Sequence, residues 1–164
     1  MKPVRNKEFA RPDLSRAQSR GPGRMVVLLH NIRSRFNVGS IFRTADGAGV
    51  NKIYLCGITP APPHPNIEKV SLGAEKNIPF EKIRNIVPLI KKLRAEGFQI
   101  VALEQNKKSI LYNKFKPKNR VALILGTEVS GLPSKILKLS NKIIEIPMFG
   151  EKESLNVSVA FGIA

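Results

Sequence analysis

Residues 120–147 read RVALILGTEVSGLPSKILKLSNKIIEIP. Val121 to Leu125 form an unbroken apolar run, closed by Gly126. A short run without polar alternation reads as a strand buried on both faces. LPSKILKL, residues 132–139, reads as a short helix with Pro133 near its start, where a missing N–H does no harm. KIIEIP, residues 142–147, is a second strand.

The same alternation extends through the rest of the chain. MVVLLH (25–30), KIYLCG (52–57) and FQIVALE (98–104) are further apolar runs. NVGSIFRTADGAG (37–49) reads as a helix capped by Asn37, with Ile41, Ala45 and Ala48 on one face. RNIVPLIKKLRAEG (84–97) places Ile86, Ile90 and Leu93 on one helical face, with Pro88 in the first turn and Gly97 as the stop. ITPAPPHPN (58–66) reads as a proline-rich loop. SLGAEKNIPFEKI (71–83) suggests a turn and a short strand, SILYNKF (109–115) a helical turn, and SLNVSVAFGIA (154–164) the start of a last helix. Apolar strands alternating with helices define an α/β fold: a largely parallel sheet with helices on both faces. The 164 residues suffice for one domain with a real core, and no internal repeat is visible.

Charge narrows the function. Lys and Arg total 28 against 12 Asp and Glu, a net charge of +16. Such a field favours a polyanion: RNA, DNA or an acidic membrane surface. No stretch has the length and apolarity of a membrane span, and the N-terminus lacks the apolar core of a signal peptide. A cytoplasmic protein is the expectation. Residues 1–24 hold seven basic and two acidic residues and read as a flexible arm, either a solvated tail or an electrostatic arm for nucleic acid. The structured domain is expected over 25–164. Cys56 is the one cysteine, and His30 and His64 are the two histidines, a composition that argues against a disulfide or a Cys/His zinc site. No metal is expected.

In parallel α/β sheets ligands bind beyond the carboxyl ends of the strands. The loops after VVLLH, IYLCG, VALILG and IIEIP are therefore the ones to inspect. GTEVSGLP (126–133) has two glycines at the P-loop separation, but Leu132 and Pro133 stand where Lys and Ser or Thr would be needed. GAGVNK (47–52) lacks the third glycine of a dinucleotide fingerprint and follows a helix. GTEVSGLP then reads as a tight turn with a surface carboxylate or as part of a site. Arg43 reads as a snorkelling arginine or as a functional one. SLNVS (154–158) reads as a helix start, with Ser154 as cap or Asn156 bonded locally, or as part of a site.

Taken together, NVGSIFRTA (37–45), ILGTEVSGLP (124–133) and IPMFGEKESLNVSVA (146–160) resemble the three ordered motifs of the SPOUT superfamily in its TrmH (SpoU) branch of RNA 2′-O-ribose methyltransferases. The resemblance runs from about Val26 to the C-terminus. It implies a SPOUT-type sheet with a C-terminal trefoil knot, a homodimer, S-adenosylmethionine as cofactor, and a ribose 2′-hydroxyl of tRNA or rRNA as acceptor. By motif position, Leu125, Gly126, Ile146, Met148 and Leu155 would lie against the cofactor. Asn37, Arg43, Glu128, Ser154 and Asn156 would form the active-site polar set.

Such chemistry needs no metal, because a sulfonium methyl is already electrophilic; it needs a ribose oxygen held in line. The family's proposed general base is the arginine at position 43. A guanidinium does not readily give up its proton near neutral pH, so the role implied for Arg43 here is a clamp on the adjacent phosphate that stabilises the developing alkoxide. Asn37 and Glu128 would orient it, while Ser154 and Asn156 would fix the ribose and the last loop. The sequence ends at Ala164, where family members continue the helix. The expectation is a truncated C-terminal helix, with knot and dimer possible only in part. The alternative reading is a catalytically silent basic RNA-binding relative, or a ribosome-associated structural protein. The complete polar set argues against the first, and the three motifs against the second.

Overall fold

A computed structural model of the chain describes residues 24–127 and 129–164. Residues 1–23, which hold nearly all of the basic arm, and Glu128 lie outside the described residues. Along the chain, β1 (Arg24–His30) leads into α1 (Arg35–Gly47), then β2 (Lys52–Cys56), α2 (Pro65–Ser71), α3 (Ala74–Asn77) and β3 (Phe80–Ile83). The second half runs α4 (Ile86–Ala95), β4 (Gln99–Leu103), β5 (Ile110–Leu111), a 3₁₀ turn (Tyr112–Lys114), β6 (Arg120–Leu125), α5 (Ser134–Leu139), β7 (Lys142–Glu145) and α6 (Val157–Ile163).

The seven strands form one sheet in the order β3-β2-β1-β6-β4-β7-β5. Every pairing is parallel, including the central β1–β6 seam, where Arg24 pairs with Arg120 and Leu29 with Leu125. Arg24 thus belongs to the sheet rather than to the arm. Parity along the strands explains the unbroken apolar runs. Val27 and Leu29 join Val101, Leu123, Leu125 and Ile144 in a cluster with Val38, Ile41, Phe42, Val157 and Phe161 of α1 and α6. Val26 and Leu28 join Ile100, Ala102, Ala122 and Ile124 in a second cluster with Ile86, Ile90, Leu93 and Ile136 of α4 and α5. Successive side chains point to opposite faces, and both faces are covered.

Several boundaries differ from the sequence reading. Asn37 does not cap α1. Ser34 does: its hydroxyl oxygen accepts from the Asn37 backbone N–H at 3.2 Å. Both residue types cap well, and the chain turns helical at the earlier one. Ala48 is exposed at the C-terminal end of α1 rather than on its buried face. The loop 58–66 is shorter than expected, because Pro65 opens α2 behind a cap from His64, whose Nδ1 accepts from Asn66 N at 3.1 Å. SILYNKF holds a two-residue strand, β5, before its helical turn. At the last helix Asn156, not Ser154, is the cap: its Oδ1 accepts from Ser158 N at 2.9 Å.

Candidate functional site

The carboxyl ends of β6, β4 and β7 open into one cavity of about 360 Å³. This is within the usual size of a small-molecule site. Among the described residues, four short segments line it. Leu103, Glu104 and Gln105 come from the end of β4. Leu125, Gly126, Thr127, Val129, Ser130 and Gly131 come from β6 and its loop. Glu145, Ile146 and Met148 leave β7, and Glu153, Ser154, Leu155, Val157 and Ala160 enter α6.

The β6 loop folds back tightly. Gly131 N donates to Thr127 O at 3.0 Å, and Ser130 N donates to the Thr127 hydroxyl at 3.0 Å. Gly131 sits at φ +60°, where a side chain would be strained. A Cβ on Gly126 would come within 2.7 Å of the Gly131 carbonyl carbon, so the cavity floor closes only with glycine at 126. The β4 end reaches both neighbouring loops: Glu104 Oε2 accepts from Leu132 N at 2.8 Å, and Gln105 Nε2 donates to Glu153 O at 2.7 Å.

All five residues expected against a cofactor, Leu125, Gly126, Ile146, Met148 and Leu155, line this cavity. Ser154 of the expected polar set also lines it. Asn37 and Asn156 meet beside it, where Asn156 Nδ2 donates to Asn37 Oδ1 at 3.0 Å and ties α6 to α1. Arg43 lies exposed on α1, six residues beyond Asn37 and so about one and two-thirds turns further along the helix. Glu128 lies outside the described residues. The cavity thus gathers apolar walls, backbone groups freed at strand ends, and a polar rim carried by α1 and α6. Its described lining includes Glu104, Glu145 and Glu153 and no Lys or Arg, although the whole chain carries +16. A ligand with positive charge suits such a wall better than an anion does.

A model of the SpoU rRNA methylase family matches residues 24–164. The chain belongs to that family. Among curated SpoU-type relatives, the tRNA (guanosine(18)-2′-O)-methyltransferase of Aquifex aeolicus is 33% identical over 139 residues, covering 85% of this chain and 65% of its own length. The 23S rRNA (guanosine-2′-O-)-methyltransferase RlmB of Salmonella typhi is 31% identical over 138 residues, covering 84% of this chain and 56% of its own. The chain therefore spans about two thirds or less of the length of these two relatives. An AdoMet-bound rRNA methyltransferase from Sinorhizobium meliloti superposes with a TM-score of 0.81 at 33% identity, covering 86% of this chain and 54% of that one. The A. aeolicus TrmH/SpoU tRNA modifying enzyme superposes with a TM-score of 0.79 at 31% identity, covering 92% and 77%. The SpoU fold is thus present across the described sheet.

The β4 wall of this cavity, Leu103 to Gln105, was not legible in the motifs. Glu104 and Gln105 belong to no motif, and the loop after FQIVALE was not among those singled out. The carboxyl-end rule already pointed there, because β4 is an apolar strand like the others.

Proposed function

We propose that this chain transfers the methyl group of S-adenosylmethionine to a ribose 2′-hydroxyl of tRNA or rRNA. The observation that carries the reading is the convergence of Leu125, Gly126, Ile146, Met148 and Leu155 on one cavity at the carboxyl ends of adjacent strands. The cavity fits the cofactor's chemistry. Apolar walls suit its base, backbone donors and acceptors suit the base edge, and an acidic lining suits its net positive charge. The cofactor supplies an electrophilic methyl group; the rest falls to the protein. Asn156 and Asn37 hold α6 against α1 and so fix the rim beside the cavity. Arg43 clamps the phosphate next to the target ribose and offsets the charge that develops on its oxygen. Ser154, which lines the cavity, borders the cofactor on the side of the ribose; orienting Arg43 is the role that motif position implies for Glu128, which lies outside the described residues.

The cavity would sit in a C-terminal trefoil knot, a reading supported by the β6 loop, the chain after β7 and the start of α6 all walling it. A homodimer fits the exposed Phe36 on α1 and the exposed Val159 and Ile163 on α6. A cytoplasmic location is in keeping with an RNA substrate. Among the described residues no helix is long and apolar enough to cross a membrane.

The test is incubation with bulk tRNA and rRNA and methyl-labelled S-adenosylmethionine, followed by mapping of 2′-O-methyl positions. Both curated relatives named above are named for guanosine, so guanosines are mapped first. Label in ribose supports the reading. Cofactor binding without transfer to either RNA, in the full chain, would favour a silent relative.

A further inference from the structure

Glu104 and Gln105 directly follow β4, the strand that lies between β6 and β7. The Glu104 carboxylate uses both oxygens: Oε2 accepts from Leu132 N at 2.8 Å and Oε1 from Gln105 N at 3.0 Å. A Cβ on Gly131 would lie 2.3 Å from Oε2, so the carboxylate fills the space that this glycine leaves. Gly131 in turn fills the space left by Gly126. Carboxylate, Gly131 and Gly126 are therefore stacked in register, and Gly126 is the cavity floor. On the other side, Gln105 Nε2 donates to the carbonyl of Glu153, the residue before Ser154. Two consecutive side chains thus fasten both loops that wall the cavity.

We propose that Glu104 and Gln105 are positioning residues of the cofactor site. They hold segments 126–132 and 146–156 at the separation that admits S-adenosylmethionine, so the cavity is formed before the cofactor arrives. The proposal rests on the cofactor reading above. A carboxylate suits the first position because it can accept from two N–H groups at once, and charge-assisted bonds to backbone N–H are the stronger kind. A glutamine there has one carbonyl oxygen and an NH₂, so one of the two backbone donors must face another donor. A methionine at 105 keeps the reach of the side chain and loses the N–H donor.

The experiment uses the full chain as wild type, Glu104→Gln, Gln105→Met and a control, Asn85→Ala. Asn85 caps α4, accepting from Val87 N, and is not among the residues that line the cavity, so its loss should lower the melting temperature and leave the loops in place. S-adenosylmethionine is titrated calorimetrically, amide hydrogen exchange is followed at Leu132, and methyl transfer is measured at saturating cofactor. Kd and KM for S-adenosylmethionine should rise on the order of tenfold in Glu104→Gln, the scale of one charge-assisted bond, and about threefold or more in Gln105→Met, the scale of a neutral one. The rate at saturation should stay within about twofold, as expected for loss of uniform binding. Exchange at Leu132 should quicken in Glu104→Gln and not in Gln105→Met, and Asn85→Ala should bind the cofactor as wild type does. Wild-type Kd in both clamp variants overturns the proposal, as does a fall in saturated rate with KM unchanged. Absence of binding by the wild-type chain overturns the cofactor reading and this inference with it; wild-type binding with unchanged variants overturns the inference alone.

Discussion

Arg43 shows why a residue's role is read from its face of a helix and not from its neighbours in sequence. Ile41, Phe42 and Ala45 are fully buried around it, yet Arg43 itself is exposed. A snorkelling arginine would cover apolar surface with its stem; an exposed one on α1 can reach a phosphate. Arg43→Ala should lower methyl transfer by at least a hundredfold while leaving S-adenosylmethionine affinity within about twofold. Transfer at the wild-type rate in that variant would remove Arg43 from the mechanism. His30 offers a second test at this scale. Its Nδ1 is buried with no hydrogen-bond partner among the described residues, and burial holds the imidazole below its ordinary value of 6.5. The unfolded chain therefore binds a proton at a pH where the folded chain does not. Stability from this group is present above about pH 6.5 and is lost as pH falls towards the folded-state value. Urea midpoints at pH 7.5 and 5.5 should differ less in His30→Gln than in wild type; an equal difference would show that other groups set the acid limb.

At the scale of elements, the sequence was most legible where burial was most complete. Each of the long strands is apolar because it faces α1 and α6 on one side and α4 and α5 on the other. Helix starts were less legible, because Ser34 and Asn37 are both good caps and the sequence does not say which one the backbone will use. The structure chooses Ser34, so Ser34→Ala should cost about 1 kcal/mol of stability, readable as a shift of the urea midpoint, whereas the Asn37 side chain has no capping bond to lose. Loss of stability in Asn37→Ala would instead report contacts other than capping, the tie to Asn156 among them. β5 was hidden for a different reason: Ile110 and Leu111 make a strand only because β7 presents an open edge to them. The motif residues of the cavity could be named from sequence because they fall in three recognisable blocks. Glu104 and Gln105 could not, because what they do depends on which strands lie beside β4, and strand order is not written in any local pattern.

Over the whole molecule, charge is divided unevenly. The described lining of the cavity has three glutamates and no Lys or Arg, while the chain carries +16. Phosphates are therefore drawn to the outer surface and discouraged from the cavity; under the proposed function this keeps RNA and cofactor apart before either makes a specific contact. RNA affinity should fall by orders of magnitude between about 50 and 200 mM salt, because each neutralised phosphate releases counterions. Cofactor affinity should change far less over the same range. A flat salt response for RNA, measured by filter binding, would mean that phosphate contacts do not drive the association.

The central seam of the sheet has a consequence for how the protein is made. β1 is the first strand of the sheet, and its partners are β2 on one edge and β6 on the other. When β1, β2 and β3 have left the ribosome, the β1 edge that will meet Arg120–Leu125 is still open, and it stays open through the synthesis of α4, β4 and β5. Val27 and Leu29 must then wait for Leu123 and Leu125 before their side of the core can close. Contacts so distant along the chain form slowly, since a long loop must be ordered first. The nascent chain thus carries an open apolar strand edge from the emergence of β1 until β6 follows, and open edges of that kind are where nascent chains pair wrongly.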